Sequence, residues 1–415
     1  MRFLAAIAAA SASLAFAPGF ALAQNSGARV QSAAEALAQD ATEYVRHHSV
    51  SLPEALARLR AQEETVAATD RIEAAYADRL AGIWIEHDPA YRIVVLLTGA
   101  EPVPNQLVAA GAIDVPILFR TGAAATRAKV VAAITQHQAA IRAAFPDAQG
   151  IGADPRTGEL VLLIKGSSDD LLPATLAAEL TAITGVPARV RVLDRADENF
   201  AIEGGARVEG VDPANGRRYA CTTGFVVTDA SRTGVVTAAH CPDTLTYLDP
   251  VEGALPLDFV GQWGARYQDV QVHLSDRAQR PLFYADAAKS LARTLTGWRN
   301  RSSTRAGDFV CHRGERTGYS CSEVELVDYA PPGDLCGGPC DPTWVTVTGP
   351  SCRSGDSGGP IFNGTIAFGI VKGGSYRRDG TCNFYYYMST DYLPDGWSLL
   401  YELQGYAANA SSGTE

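Results

Sequence analysis

Six consecutive residues around one serine, Gly355-Asp356-Ser357-Gly358-Gly359-Pro360, carry the strongest chemical signal in the chain. A serine hydroxyl is a poor nucleophile until a base takes its proton and a preformed donor pair receives the oxyanion made by its attack. Glycines beside the serine permit a tight turn that aims the Gly355 and Ser357 N–H groups into one pocket. A plain Gly/Ser surface loop would read the same way in isolation. A second motif upstream weighs against that reading: Thr237-Ala238-Ala239-His240-Cys241 ends a strand-like stretch over residues 233–237. His240 is therefore the candidate base. Such a base needs a carboxylate on its far nitrogen to hold the tautomer and stabilise the imidazolium. Asp269 is favoured for this, because it precedes the alternating Val270-Gln271-Val272 and would sit at the edge of that strand. Asp258 and Asp276 are its rivals.

The elements that must hold these side chains belong to a chain of two unlike halves. It has 415 residues, 47% of them hydrophobic and 20% charged, with 39 Gly and 22 Pro. That composition excludes disordered, collagen-like and coiled-coil classes and allows two or three domains. The net charge of -11, with no long run of one sign, disfavours nucleic acid and anionic lipid as partners. All eight Cys lie between Cys221 and Cys382. Residues 1–23 have one early Arg, an apolar stretch and Ala21-Leu22-Ala23 at the end, which reads as a secretory signal peptide rather than a membrane anchor. Export favours disulfides.

The cysteine-free part, residues 24–200, reads as a separate α+β module. Residues 29–80 have helical periodicity, with Ser51 and Glu54 spaced as a capping box. Within residues 81–195, a hairpin is expected at Asp88-Pro89 and a second across residues 150–164, each preceding a helix, at 126–145 and 172–184. A last strand covers 188–193. This is a weak internal repeat. His47 and His48 are expected on a solvated helix face, and no cluster in this half has metal-ligand spacing.

At these residues the chain resembles a known family. Residues 202 to about 400 are similar to the chymotrypsin-like serine peptidases, in particular the secreted bacterial branch of α-lytic protease and the streptogrisins. His240, Asp269 and Ser357 follow the family's order. Phe309-Val310-Cys311 through Ser320-Cys321 looks like its short disulfide loop, and Ile202-Glu203-Gly204-Gly205 like its mature N-terminus. Lys372-Gly373-Gly374-Ser375 resembles the strand that lines the specificity pocket. The resemblance implies an all-β protease domain of two six-stranded barrels over residues 201–403, a short tail at 404–415, and a preceding pro-domain that assists folding, blocks the cleft and is removed near residues 199–202.

The resemblance also suggests the pairs Cys221–Cys241, Cys311–Cys321 and Cys352–Cys382, leaving Cys336 and Cys340 for each other; zinc at that close pair is the rival reading. Ser351, Lys372, Gly373 and Gly374 are the candidate substrate-binding residues. Cys352 stands five residues before Ser357, one fewer than in the bacterial branch. No acidic residue stands nearby, which argues against Lys or Arg substrates, and the two glycines leave room for a sizeable apolar side chain. Lys372 replaces the family's usual Ser beside the catalytic carboxylate, and two placements stay open, against that carboxylate or toward solvent. The function expected is a secreted serine endopeptidase made as a pro-enzyme and acting on peptides or proteins. It needs no metal or cofactor, has its own pro-region as partner, and is monomeric. A secreted, catalytically silent binding protein on the same fold is the alternative.

Overall fold

The computed structural model describes residues 28–166, 173–193, 198–199, 206–211, 213, 216–249, 253–276 and 279–402. The signal-like residues 1–23, the 202–205 stretch and the tail at 404–415 lie outside them.

The N-terminal half begins with a strand, Arg29–Gln31, where helical periodicity was expected. It pairs in parallel with the distant strand Leu291–Thr294, a partner that local periodicity cannot register. Helix α1 (Ala33–His48) then starts at Ser32, whose side chain and Glu35 form a reciprocal capping box. In α2 (Leu52–Glu64) only half of the expected box forms. Ser51 Oγ accepts from the Glu54 N–H at 3.3 Å, but the Glu54 carboxylate turns forward to Arg58 at 2.5 Å. An arginine one turn ahead offers a charged donor, and the exposed Ser51 amide offers a neutral one. Helix α3 (Val66–Ala75) follows.

Both expected hairpins are present, Leu80–Glu86 with Arg92–Thr98 and Ala148–Asp154 with Glu159–Lys165. The helices fall at α4 (Arg127–Ala144), capped by Thr126, and α5 (Pro173–Thr184). The two units are not equivalent. In the second, α5 carries the chain over to Ala188–Leu193, parallel to Glu159–Lys165. In the first, the parallel partner Ile113–Ala123 is reached through the strand Gln106–Ala110, which the sequence patterning did not reveal.

The second half is β-rich. One sheet of four strands runs Arg218–Thr222, Arg207–Val211, Leu245–Asp249, Gly253–Pro256, and one of five runs Asp258–Trp263, Val270–Leu274, Thr233–Thr237, Val226–Thr228, Ser398–Leu399. The longest path runs Gly318–Glu323, Phe309–Gly314, Pro360–Asn363, Ile366–Tyr376, Cys382–Ser389, Val345–Thr348. Among the described residues hydrogen bonds do not close this path into the expected barrel. Its ends are joined by one isolated bridge, Val324 with Val347, and by bonds of Thr348 Oγ1 to Ser322 Oγ and Glu323 O, not by a continuous ladder. The chain between them leaves the path, and Asp328–Ala330 adds an antiparallel strand to the N-terminal half's sheet at Ile151–Ala153. The halves thus share three sheets, the third through residues 198–199 on strand Ile366–Tyr376, and one core, in which Tyr44, Leu59 and Leu163 pack with Phe309, Trp344 and Phe384.

Candidate active site

Strand Thr233–Thr237 ends in a turn that presents His240, and three bonds hold that turn. The Cys241 N–H donates to Ala238 O at 3.1 Å, and Gln271 Nε2 donates to Ala238 O and Cys241 O at 2.8 and 3.1 Å. The Cys221–Cys241 disulfide ties the turn to strand Arg218–Thr222. That same strand carries the serine loop. Thr222 N–H donates to Ser357 O at 2.7 Å and Thr222 Oγ1 to Gly355 O at 3.1 Å, while Thr237 Oγ1 donates to Thr222 O. One strand therefore sets the distance between base and nucleophile.

His240 Nε2 lies 2.9 Å from Ser357 Oγ, and His240 Nδ1 lies 2.8 Å from Asp269 Oδ2. Asp269 Oδ1 also accepts from the His240 backbone N–H at 3.2 Å. The carboxylate is buried at the start of strand Val270–Leu274, with the Met388 Sδ 3.2 Å from its backbone N–H. The rival Asp258 is paired with Leu274 at the other end of that strand, and Asp276 lies just beyond that end; both are exposed. Burial pushes the Asp269 carboxyl up, but His240 and Lys372 outweigh it and hold the group at about 2.

The loop before the serine is held by Asp356, which sequence reasoning passed over. Its buried carboxylate accepts from the N–H groups of Arg353, Arg316 and Thr317 and from Thr317 Oγ1, at 2.8–3.3 Å. Burial nonetheless pushes it up to about 6. Gly355 and Gly358 have φ of 114° and 83°, the left-handed region that lets the loop turn twice in four residues.

Lys372 turns inward, with Nζ 3.2 Å from Asp269 Oδ2 and 5.1 Å from the Trp344 ring centroid. Its side chain is thus placed behind the His240–Asp269 pair, and its backbone O accepts from Ser357 Oγ at 3.4 Å. Gly373 and Gly374 pair antiparallel with Asn199 and Glu198, which form a short strand of the N-terminal half. Ser351 is half-buried, one residue before Cys352. The four disulfides are Cys221–Cys241, Cys311–Cys321, Cys336–Cys340 and Cys352–Cys382, and no free cysteine is left for zinc among the described residues.

A second cluster escaped the sequence. His47 is exposed as expected, but His48 is buried, stacked on His87 at 4.5 Å and 3.6 Å from Glu323 of the second half. The helix face bearing His48 is solvated only until the second half packs on it. No local signal marks a partner so far away in the chain.

No family model matches the chain. It is 28% identical over 167 residues to streptogrisin-C of Streptomyces griseus, across 39% of this chain and 33% of that protein, so it spans about a third of the length of the curated relative it matches. Among solved structures it is similar to protease A of Thermobifida fusca (22% identity, TM-score 0.37, 48% of this chain and 99% of that one). It is also similar to a Nocardiopsis protease (23%, TM-score 0.35, 45% and 92%). With its His240, Asp269 and Ser357 in hydrogen-bonded sequence, the chain resembles the chymotrypsin-like serine proteases of bacteria.

Proposed function

We propose that this protein is a secreted serine endopeptidase made as a precursor, with a chymotrypsin-like β-rich domain over 201–403 preceded by a pro-region. The observation that carries this reading is the unbroken line of bonds from Asp269 through His240 to Ser357, at 2.8 and 2.9 Å. His240 Nε2 takes the Ser357 proton as Oγ bonds to the scissile carbonyl carbon, and the Gly355 and Ser357 N–H groups receive the oxyanion. His240 then gives that proton to the leaving nitrogen as the C–N bond breaks. Water repeats the sequence on the acyl-enzyme, with its proton passing through His240 back to Ser357.

The precursor half of the reading is supported by the pairing of residues 198–199 with Gly373 and Gly374, the edge at which a substrate strand would lie. It is also supported by Ser357 having no exposed surface while the N-terminal half is attached. Residues 24–200 act as folding aid and inhibitor, the chain is cut near 199–202, and four disulfides suit an oxidising compartment. The silent-binder reading rests on a cation that binds the catalytic carboxylate and weakens the triad. Lys372 does sit on Asp269, yet the His240–Asp269 bond at 2.8 Å is kept, which favours the peptidase.

The test is reaction with a fluorophosphonate probe, read by intact mass. Ser357 takes the label in a species beginning between Asn199 and Ile202, and Ser357→Ala takes none. A folded, processed protein without label overturns the peptidase reading, and a labelled species that still carries residues 24–198 overturns the maturation.

A further inference from the structure

A lysine with its side chain 1% exposed shares one carboxylate oxygen with the candidate base. Lys372 Nζ stands 3.2 Å from Asp269 Oδ2, which also accepts from His240 Nδ1 at 2.8 Å. Trp344 stacks over the ammonium at 5.1 Å, so the long side chain is fixed by an aromatic face as well as by charge. The charged groups facing the carboxylate are His240, from the turn after strand Thr233–Thr237, and Lys372, from strand Ile366–Tyr376. Strand Cys382–Ser389 contributes only the neutral Met388 Sδ. Asp356 stands next to the serine in the chain, and its carboxylate bonds to the 316–317 turn.

We propose that Lys372 is a positioning residue of the reaction, a buried cation that locks Asp269 in place and extends activity toward acid by making His240 harder to protonate. Its bearing on turnover rests on the peptidase reading. Its effect on His240 is a property of the folded protein and needs no substrate.

Two physical points carry it. Asp269 is held on one oxygen by the His240 backbone N–H and on the other by the His240 ring, both from a single residue, and a charged donor from another strand adds an anchor independent of the histidine turn. A carboxylate that spends part of its field on an ammonium also stabilises an imidazolium less. The fixed cation therefore keeps the imidazole neutral, and able to take a proton, in more acidic medium, at the cost of a weaker pull on the imidazolium that forms during attack. The same residue touches the nucleophile through its carbonyl, which accepts from Ser357 Oγ at 3.4 Å, and precedes the two glycines that pair with residues 198–199. A shift of this residue would thus move carboxylate, serine and substrate edge together.

The test uses the protein as expressed, in its processed form wherever it is labelled, with Lys372→Met and Lys372→Ser, and with Lys372→Arg as the charge-keeping variant. Protonation of His240 is followed by heteronuclear NMR, and the labelling rate by fluorophosphonate, each against pH. In both neutral variants the His240 midpoint moves to higher pH by about one unit, roughly a tenfold change in proton affinity. The acidic limb of labelling moves with it, and Lys372→Arg stays near the parent. Coincident midpoints in parent and neutral variants overturn the proposal. Shifted midpoints in proteins that never label leave it standing and sink the peptidase reading instead. If neither neutral variant folds, an arginine variant that folds with the parent midpoint supports the charge, and failure of all three assigns Lys372 to packing alone.

Discussion

Gly358 shows how little freedom the serine loop has. A Cβ added there would stand 2.2 Å from Thr222 O and 2.3 Å from Thr237 Oγ1, two atoms of the connection that spaces base and nucleophile, and its φ is +83°. Gly380 has nearly the same φ, +82°, with nothing within 4 Å of such a Cβ. Comparing the two separates backbone strain from collision. Gly380→Ala is expected to cost about 1 kcal/mol in urea unfolding and to leave labelling of Ser357 unchanged. Gly358→Ala is expected to lower stability by about 3 kcal/mol and slow labelling roughly a hundredfold, because the loop must move off Thr222. Equal behaviour of the two variants would refute the argument. At this scale the chain could be read without a structure: the glycines, the serine and the histidine turn are local motifs, and their types state the chemistry they permit. The tryptophan over Lys372 could not be read, since Trp344 is 28 positions away and no spacing rule joins it to a lysine.

At the scale of elements, helix α1 was legible and its burden was not. Its amphipathic face and cap are local. Asp40 on that face is fully buried and forms a two-pronged pair with Arg293 of strand Leu291–Thr294, at 3.0 and 2.8 Å, across 253 positions. It also accepts from the Gly364 N–H at 2.6 Å and from Tyr319 Oη at 2.5 Å. A buried pair broken on one side leaves an uncompensated charge, which costs about 3–5 kcal/mol. Asp40→Leu is expected to lose that much in denaturant unfolding. The double variant with Arg293→Met is expected to recover a large part of it, so the cycle returns a strong coupling. An additive cycle would mean that the pair contributes nothing specific. The short strands behave likewise: Arg29–Gln31 has no periodicity of its own and exists because Leu291–Thr294 offers a free edge.

For the whole molecule, the joint between the halves couples stability to acid. His87 donates from Nε2 to Gly307 O at 2.7 Å and faces Tyr44 Oη across 2.6 Å at Nδ1, so it is neutral at the boundary of the two halves. Burial, with nearby His48, holds it down at about 3, and burial holds His273 and His312 at about 4. A histidine depressed in the folded state adds stability above its unfolded value near 6.5 and loses it as pH falls toward the folded value. Each of the three is expected to lose roughly 2 kcal/mol between pH 6.5 and 5. Asp356, raised to about 6 by burial, acts in the opposite sense over the same window and offsets part of this. The unfolding free energy from urea titrations at pH 7.5 and 5 is therefore expected to fall by about 4 kcal/mol. A flat profile would mean that these histidines are not buried as neutral groups.

By itself the sequence determined the kinds of local structure and the chemistry they could host: two hairpins, the helices expected at 126–145 and 172–184 and found at 127–144 and 173–184, a histidine turn and a serine loop. Each depends on residues within a few positions of one another, where capping, alternation and turn preference act. The tertiary structure decided what lies between distant residues. It buried His48, set Lys372 on Asp269 rather than in solvent, and drew Asp328–Ala330 away from the β-rich half to complete a sheet of the other. Burial, charge pairing and strand edges are properties of surfaces that meet only after folding, so no local pattern encodes them.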